Sequence, residues 1–119
     1  MRDHTKLRAF HLADQFVLMV YRETQNFPRE EQYGLTSQLR RAAVSAASNI
    51  VEGCARGTKS EYVRFLEIAY GSAREAQYQI SLAFRLGFLA ESAHCELDAV
   101  ATETTRVLNT LIRALRASP

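Results

Sequence analysis

Apolar side chains recur every three or four positions along four stretches of this chain, with polar and charged residues filling the gaps. Between Lys6 and Asn26 the set is Leu7, Phe10, Ala13, Phe16, Val17, Val20 and Tyr21, the spacing of one face of an amphipathic helix. Phe27 and Pro28 stop it, because the residue before a proline disfavours helical geometry and proline has no N–H to donate. The following REEQYG reads as a short turn. A second helix is expected from Thr36, as N-cap, to about Gly53, with Leu39, Ala42, Ala43, Ala46 and Ile50 inward. Gly53 and Gly57 bracket its exit.

Thr58 precedes Glu61 by three residues, the spacing of a capping box, and opens the third helix. Its inward face reads Tyr62, Phe65, Leu66, Ala69, Ser72, Ala73, Ala76, Ile80 and Ala83, and Gly87 supplies the left-handed residue that ends it. Gly71 lies inside this helix, where a glycine costs about 1 kcal/mol relative to alanine; close approach of a neighbouring backbone is the expected return. Leu97, Val100, Thr104, Val107, Leu108, Leu111 and Leu115 form a near-heptad seam on the last helix. The pattern predicts helices over about 6–26, 36–53, 59–86 and 92–117. Short connections between them force successive helices to reverse, so the fold class is all-α, an antiparallel up-and-down four-helix bundle.

With 119 residues, 47% of them hydrophobic, the chain supports one domain with a real core and not two. Only Pro28 and Pro119 are prolines, and no linker composition divides residues 1–119. The N-terminal MRDHTKLRAF lacks the apolar stretch of a signal peptide, and no apolar run approaches the roughly 18 residues of a membrane span. A cytoplasmic protein with no membrane role is expected, and Cys54 and Cys95 are expected to stay reduced thiols. The formal charge of +2 permits a nucleic-acid partner without requiring one.

Candidate chemistry thins under inspection. Gly53 and Gly57 have no strand before them, which removes phosphate-cradling glycine loops. Glu91 and His94 make one Glu-x-x-His pair where a di-metal bundle site needs two, and no metal or cofactor is predicted. Ser45 and Ser48 have no histidine on their helix to act as base, so packing is favoured over catalysis and no enzyme is expected. Glu52 sits in the last turn of its helix, where a negative charge meets unpaired carbonyls. A compensating partner is expected among Arg56, Arg64 and the N–H groups opening the third helix, tying the two helices together.

The run FPREEQYGLTSQLRRAAVSAASNIVEG, followed by RFLEIAYGSAREA, resembles the four-helix-bundle proteins first noted as open reading frames within intervening sequences of bacterial 23S ribosomal RNA genes. The matching positions include Phe27, Pro28, Tyr33, Gln38, Arg41, Ser45, Ser48, Asn49, Glu52, Gly53, Gly71, Ser72 and Glu75. Phe10 stands where tryptophan is common, and Ala46–Ala47 replaces a frequent Ile-Pro pair. The resemblance implies a bundle often assembled as a homopentamer and no known enzymatic activity. It also implies kinship with accessory proteins of diversity-generating retroelements, thought to engage a reverse transcriptase and nucleic acid through a basic pentameric surface.

Independently of family, Thr36–Ser60 carries Arg40, Arg41, Arg56 and Lys59 against Glu52 alone. A ring would repeat that patch, and phosphate contacts would then add up. Arg40, Arg41, Arg56, Lys59 and Arg64 are therefore the candidate nucleic-acid contacts, whereas Ser45, Ser48, Asn49, Glu52, Gly53, Gly71 and Ser72 are assigned to structure. Two readings stay open: an oligomer that binds RNA or other nucleic acid, and a scaffold that presents its surface to another protein.

Overall fold

A computed structural model describes residues 2–119 as four helices, α1 (Arg8–Thr24), α2 (Leu35–Cys54), α3 (Lys59–Arg85) and α4 (Glu91–Ala117). Single 3-10 turns at His4–Lys6 and Arg29–Glu31 precede α1 and α2. Each helix packs on its two neighbours around a square, with α2 against α3 the most intimate pair. Hydrogen bonds such as Ser45 to Ser72 and Gln77 to Asp98 tie successive helices together, and the short connections reverse the chain between them, so the all-α class with four helices holds and the packing fits an up-and-down bundle. Its extents are 48 × 23 × 19 Å.

Two layers of core side chains follow one another along the axis. Phe16, Val20, Phe27, Leu39, Ile80 and Leu97 fill the end that holds the α1–α2 and α3–α4 connections. Ala9, Ile50, Tyr62, Leu66, Leu108 and Ile112 fill the other. Between α2 and α3 the interior is mostly alanine: Ala42, Ala43, Ala46 and Ala47 lie buried on one side, with Ala69, Ala73 and Ala76 on the other. Small side chains let these two helices approach and leave dispersion contacts, not bulk, to fill the seam.

Local signals set the helix ends where the sequence placed them at two points. The Thr58 hydroxyl accepts from the Glu61 N–H at 3.2 Å. Gly87 has φ +83°, with Gly87 N–H donating to Phe84 at 3.0 Å and Phe88 N–H to Ala83 at 2.8 Å, a Schellman closure. The start of α2 differs. Gly34 is the cap residue and the Glu31 carboxylate, reaching forward from the 3-10 turn, accepts from Leu35 N–H at 3.0 Å. Thr36 lies buried inside the first turn and does not cap it.

Gly71, expected to admit a neighbouring backbone, and Gly53, expected to release the chain at the helix exit, exchange roles. A Cβ on Gly71 would meet nothing within 4 Å, so within this chain it admits no neighbour. A Cβ on Gly53 would lie 3.0 Å from Phe65 Cβ and 3.3 Å from the Tyr62 carbonyl. Gly53 is also still helical, in the last turn of α2, so it admits α3 and does not release the chain. Tyr21, expected inward, is 40% exposed beneath the Arg40 guanidinium, 4.6 Å from its ring centre.

Candidate nucleic-acid interface

The serine motif forms one hydrogen-bonded tie. Ser45 and Ser72 hydroxyls meet at 2.8 Å across the α2–α3 seam, and the Asn49 amide donates to the Ser45 carbonyl at 2.8 Å and hydroxyl at 3.0 Å. Ser48 is exposed and outside this network. The histidines are occupied in packing and turns: His94 stacks on Phe84 at 4.4 Å, His4 lies edge-on to Phe10 at 4.7 Å, and a ring nitrogen of His11 meets the Thr5 carbonyl at 2.6 Å. Neither serine has a base in hydrogen-bond reach.

Among the described residues Glu52 pairs with Arg56 alone, at 3.1 Å and largely in solvent. It does not bridge to α3, because at this corner Gly53 faces α3 and Glu52, the residue before it, points away. The link across the corner runs through Arg56, whose guanidinium covers the Phe65 ring at 4.6 Å.

Arg2 closes the same corner. Its N–H donates to the Cys54 carbonyl at 3.1 Å, its guanidinium to the Arg56 carbonyl at 2.9 Å, and its charge sits 4.1 Å from the Tyr62 ring centre. A cation against the open carbonyls at the end of α2 is electrostatically favourable. Burial pushes the Tyr62 phenol up to about 12 and raises the Cys54 thiol, so this thiol is a poor nucleophile at neutral pH. Both cysteines are free.

The five basic candidates divide into two places. Arg40 and Arg41 lie near the start of α2, and Arg56, Lys59 and Arg64 surround its far end, about 20 Å along the axis at 1.5 Å per residue. Arg40 is committed to α1, donating to the Thr24 hydroxyl at 2.7 Å. Lys59 donates to the Ser118 carbonyl at 2.5 Å. Arg41 and Arg64 are exposed and, among the described residues, have no hydrogen-bonding or ionic partner.

Antiparallel packing then adds what no local window holds. The start of α1, the α2–α3 connection and the end of α4 meet at one end of the bundle. Nine basic residues gather there (Arg2, Lys6, Arg8, Arg56, Lys59, Arg64, Arg106, Arg113 and Arg116) against the five acids Asp3, Glu52, Glu61, Glu67 and Glu103, which pairs with Arg8 and Arg106, a formal +4. Since the whole chain carries +2, the remainder carries −2. Glu67 neutralises Arg116, and Lys6, Arg64 and Arg113 face solvent without partners among the described residues. Arg113 and Lys6 escaped the sequence reading because they join the cluster only through the fold.

With the bundle and this polarity in place, comparison with known proteins decides the family. The family description "23S rRNA-intervening sequence protein" matches residues 5–110. The chain belongs to the 23S rRNA-intervening sequence protein family. A crystal structure of a protein of unknown function from the S23 ribosomal protein family of Bacteroides thetaiotaomicron VPI-5482 superposes with a TM-score of 0.80 at 19% identity, over 88% of this chain and 95% of that one. That likeness bears on fold alone. No curated protein matches the chain. Among the described residues no helix is long and apolar enough to cross a membrane.

Proposed function

We propose that this member of the 23S rRNA-intervening sequence family is a non-enzymatic, self-associating bundle of the cytoplasm that binds nucleic acid through its basic pole. The carrying observation is the charge polarity: a formal +4 at one end of a chain of net +2, with Lys6, Arg64 and Arg113 exposed and unpaired among the described residues. Arginine suits phosphate through its planar two-pronged donor face. The commitment of Ser45, Ser72 and the histidines to packing supports the non-enzymatic part.

Self-association draws on two apolar strips. Leu18, Tyr21 and Val44 lie exposed beside one another on α1 and α2, and Ile68 lies exposed on α3 one turn from the open surface at Gly71. Docking the first strip on the second strip of the next copy is a head-to-tail contact, which gives a ring when the rotation closes. The resemblance supports five copies, and five basic poles turned one way would bind phosphates multivalently.

Binding of a structured RNA, followed by fluorescence anisotropy across a salt series, tests the proposal. Affinity should fall steeply with salt, and Arg113→Ala should lower the slope of log K against log salt by about one. Absence of binding near 50 mM salt, where electrostatic association is strongest, would remove it. The competing reading, a scaffold for another protein, draws on the exposed Tyr78 and Leu86; a stable polypeptide partner with no RNA in native purifications would favour it.

A further inference from the structure

At the end of the bundle opposite the basic pole, the surface around the start of α2 has a different character. Tyr33 is 89% exposed, so its ring offers an uncovered aromatic face. Beside it a groove of about 340 Å³ runs between α2 and α3, lined by Tyr33, Ser37, Gln38, Arg41, Ser72 and Glu75 among others. Arg41 and Tyr33 also border a second groove of about 480 Å³ on the α1 side, which Tyr21 and Val44 of the apolar strip close off.

We infer that this groove is a subsite for one unpaired nucleotide of a single-stranded RNA segment, with the base stacked on Tyr33, the phosphate on Arg41 and sugar or base-edge donors on Glu75. The inference rests on the nucleic-acid reading above and adds a second, chemically distinct contact.

Three features select this ligand. First, the groove holds one cation and one carboxylate, so a purely anionic ligand that satisfies Arg41 meets repulsion from Glu75. The occupant must bring donors as well as an anion, and a nucleotide does, through its ribose hydroxyls and exocyclic amines. Second, Glu75 is held in place. The Gln79 amide, only 5% exposed, donates to the Glu75 carboxylate at 3.4 Å, and the Ser45–Ser72 pair braces the floor between the helices. Third, an exposed aromatic ring next to arginine is the arrangement by which proteins hold unstacked bases, since every base has a π-face. The volume is at the small end of ligand sites, enough for one nucleotide and too little for a duplex.

The test compares an RNA hairpin carrying a single-stranded loop with a fully paired duplex of equal charge, using the full chain in its native assembly. Tyr33→Ala should weaken loop binding roughly 5- to 100-fold, from the stacking energy of one base, and leave duplex affinity and the salt slope unchanged. Tyr33→Phe should restore loop binding. Because Tyr33 is solvent-exposed, an unchanged thermal melt checks that the variant is folded.

A second arm needs no long RNA: titration with uridine or adenosine monophosphate, read by NMR at the Tyr33 ring and the Arg41 side chain. Shifts at both, absent in Tyr33→Ala, support the subsite even if the basic pole binds nothing. No shift at millimolar nucleotide, equal loss of duplex and loop binding in Tyr33→Ala, or the same shifts produced by free glutamate would each overturn it. A duplex that still binds in a salt-dependent way while the nucleotide arm is silent would leave the basic pole standing and remove the subsite alone.

Discussion

The α2–α3 seam and the α1–α4 seam solve the same problem with opposite materials. Between α2 and α3 the contact is made of alanines, a glycine whose missing Cβ is replaced by Phe65, and a serine–serine hydrogen bond at 2.8 Å. Between α1 and α4, Phe16, Leu97 and Leu108 supply volume. The surface closure there is one carboxylate, Glu103, accepting from Arg8 at 2.5 Å and from Arg106 at 2.7–2.8 Å. Close approach makes the first seam intolerant of added atoms and indifferent to salt. The second tolerates change at its surface and responds to protons and ions.

The largest test of that contrast is Gly53→Val. With 3.0 Å between the new Cβ and Phe65, overpacking should cost about 3 kcal/mol, or roughly 10 °C in Tm for a domain of this size. Gly71→Ala should do the reverse and stabilise the chain by about 0.5–1 kcal/mol, because helix propensity rises and nothing is displaced. A loss of assembly without a loss of monomer stability in that variant would place Gly71 in the contact between copies. Thermal melts and light scattering on the pair read both effects.

Ser72→Ala comes next, at about 1 kcal/mol. It removes the partner of Ser45 but leaves the Asn49 amide to occupy the Ser45 hydroxyl at 3.0 Å, which limits the damage. A cost as large as that of Gly53→Val would mean that hydrogen bonding, not proximity, dominates this seam.

Glu103 gives the smallest effect and the only one that depends on pH. The Arg106 guanidinium first, then Arg8, hold its carboxyl down to about 2, against an unfolded value of about 4.3. A depressed folded value means the contribution is complete above the unfolded value and fades as pH falls towards about 2. Glu103→Gln should flatten the melting temperature over that window, and 1 M salt should diminish the difference, since the group lies at the surface. The corresponding α2–α3 variants should show neither dependence.

How much of this was legible beforehand follows the range of the interactions. Thr58 and Gly87 were readable because cap chemistry is decided within about four residues. The Thr36 cap was wrong for a related reason: Glu31 occupies the first turn of α2 from outside the helix, and the Thr36 side chain is buried. Gly53 and Gly71 look alike in the sequence, and only the partner helix distinguishes them. A count over Thr36–Ser60 detected positive charge, but the polarity comes from antiparallel packing, which carries Lys6 and Arg113 to the same end as Lys59. The groove at Tyr33 was hidden likewise, because Arg41 and Glu75 are 34 positions apart.

Cys54 sits 1% exposed at the tightest corner of the bundle, under Arg2 and against Tyr62, whereas Cys95 is open to solvent on α4. Nature has thus installed a clock and its reference in one molecule. A thiol reagent marks Cys95 at the intrinsic rate and Cys54 only during the moments when the corner opens. The ratio of the two rates therefore measures the opening equilibrium of that corner directly, and nucleic acid bound across the neighbouring basic pole should slow the second clock while leaving the first running.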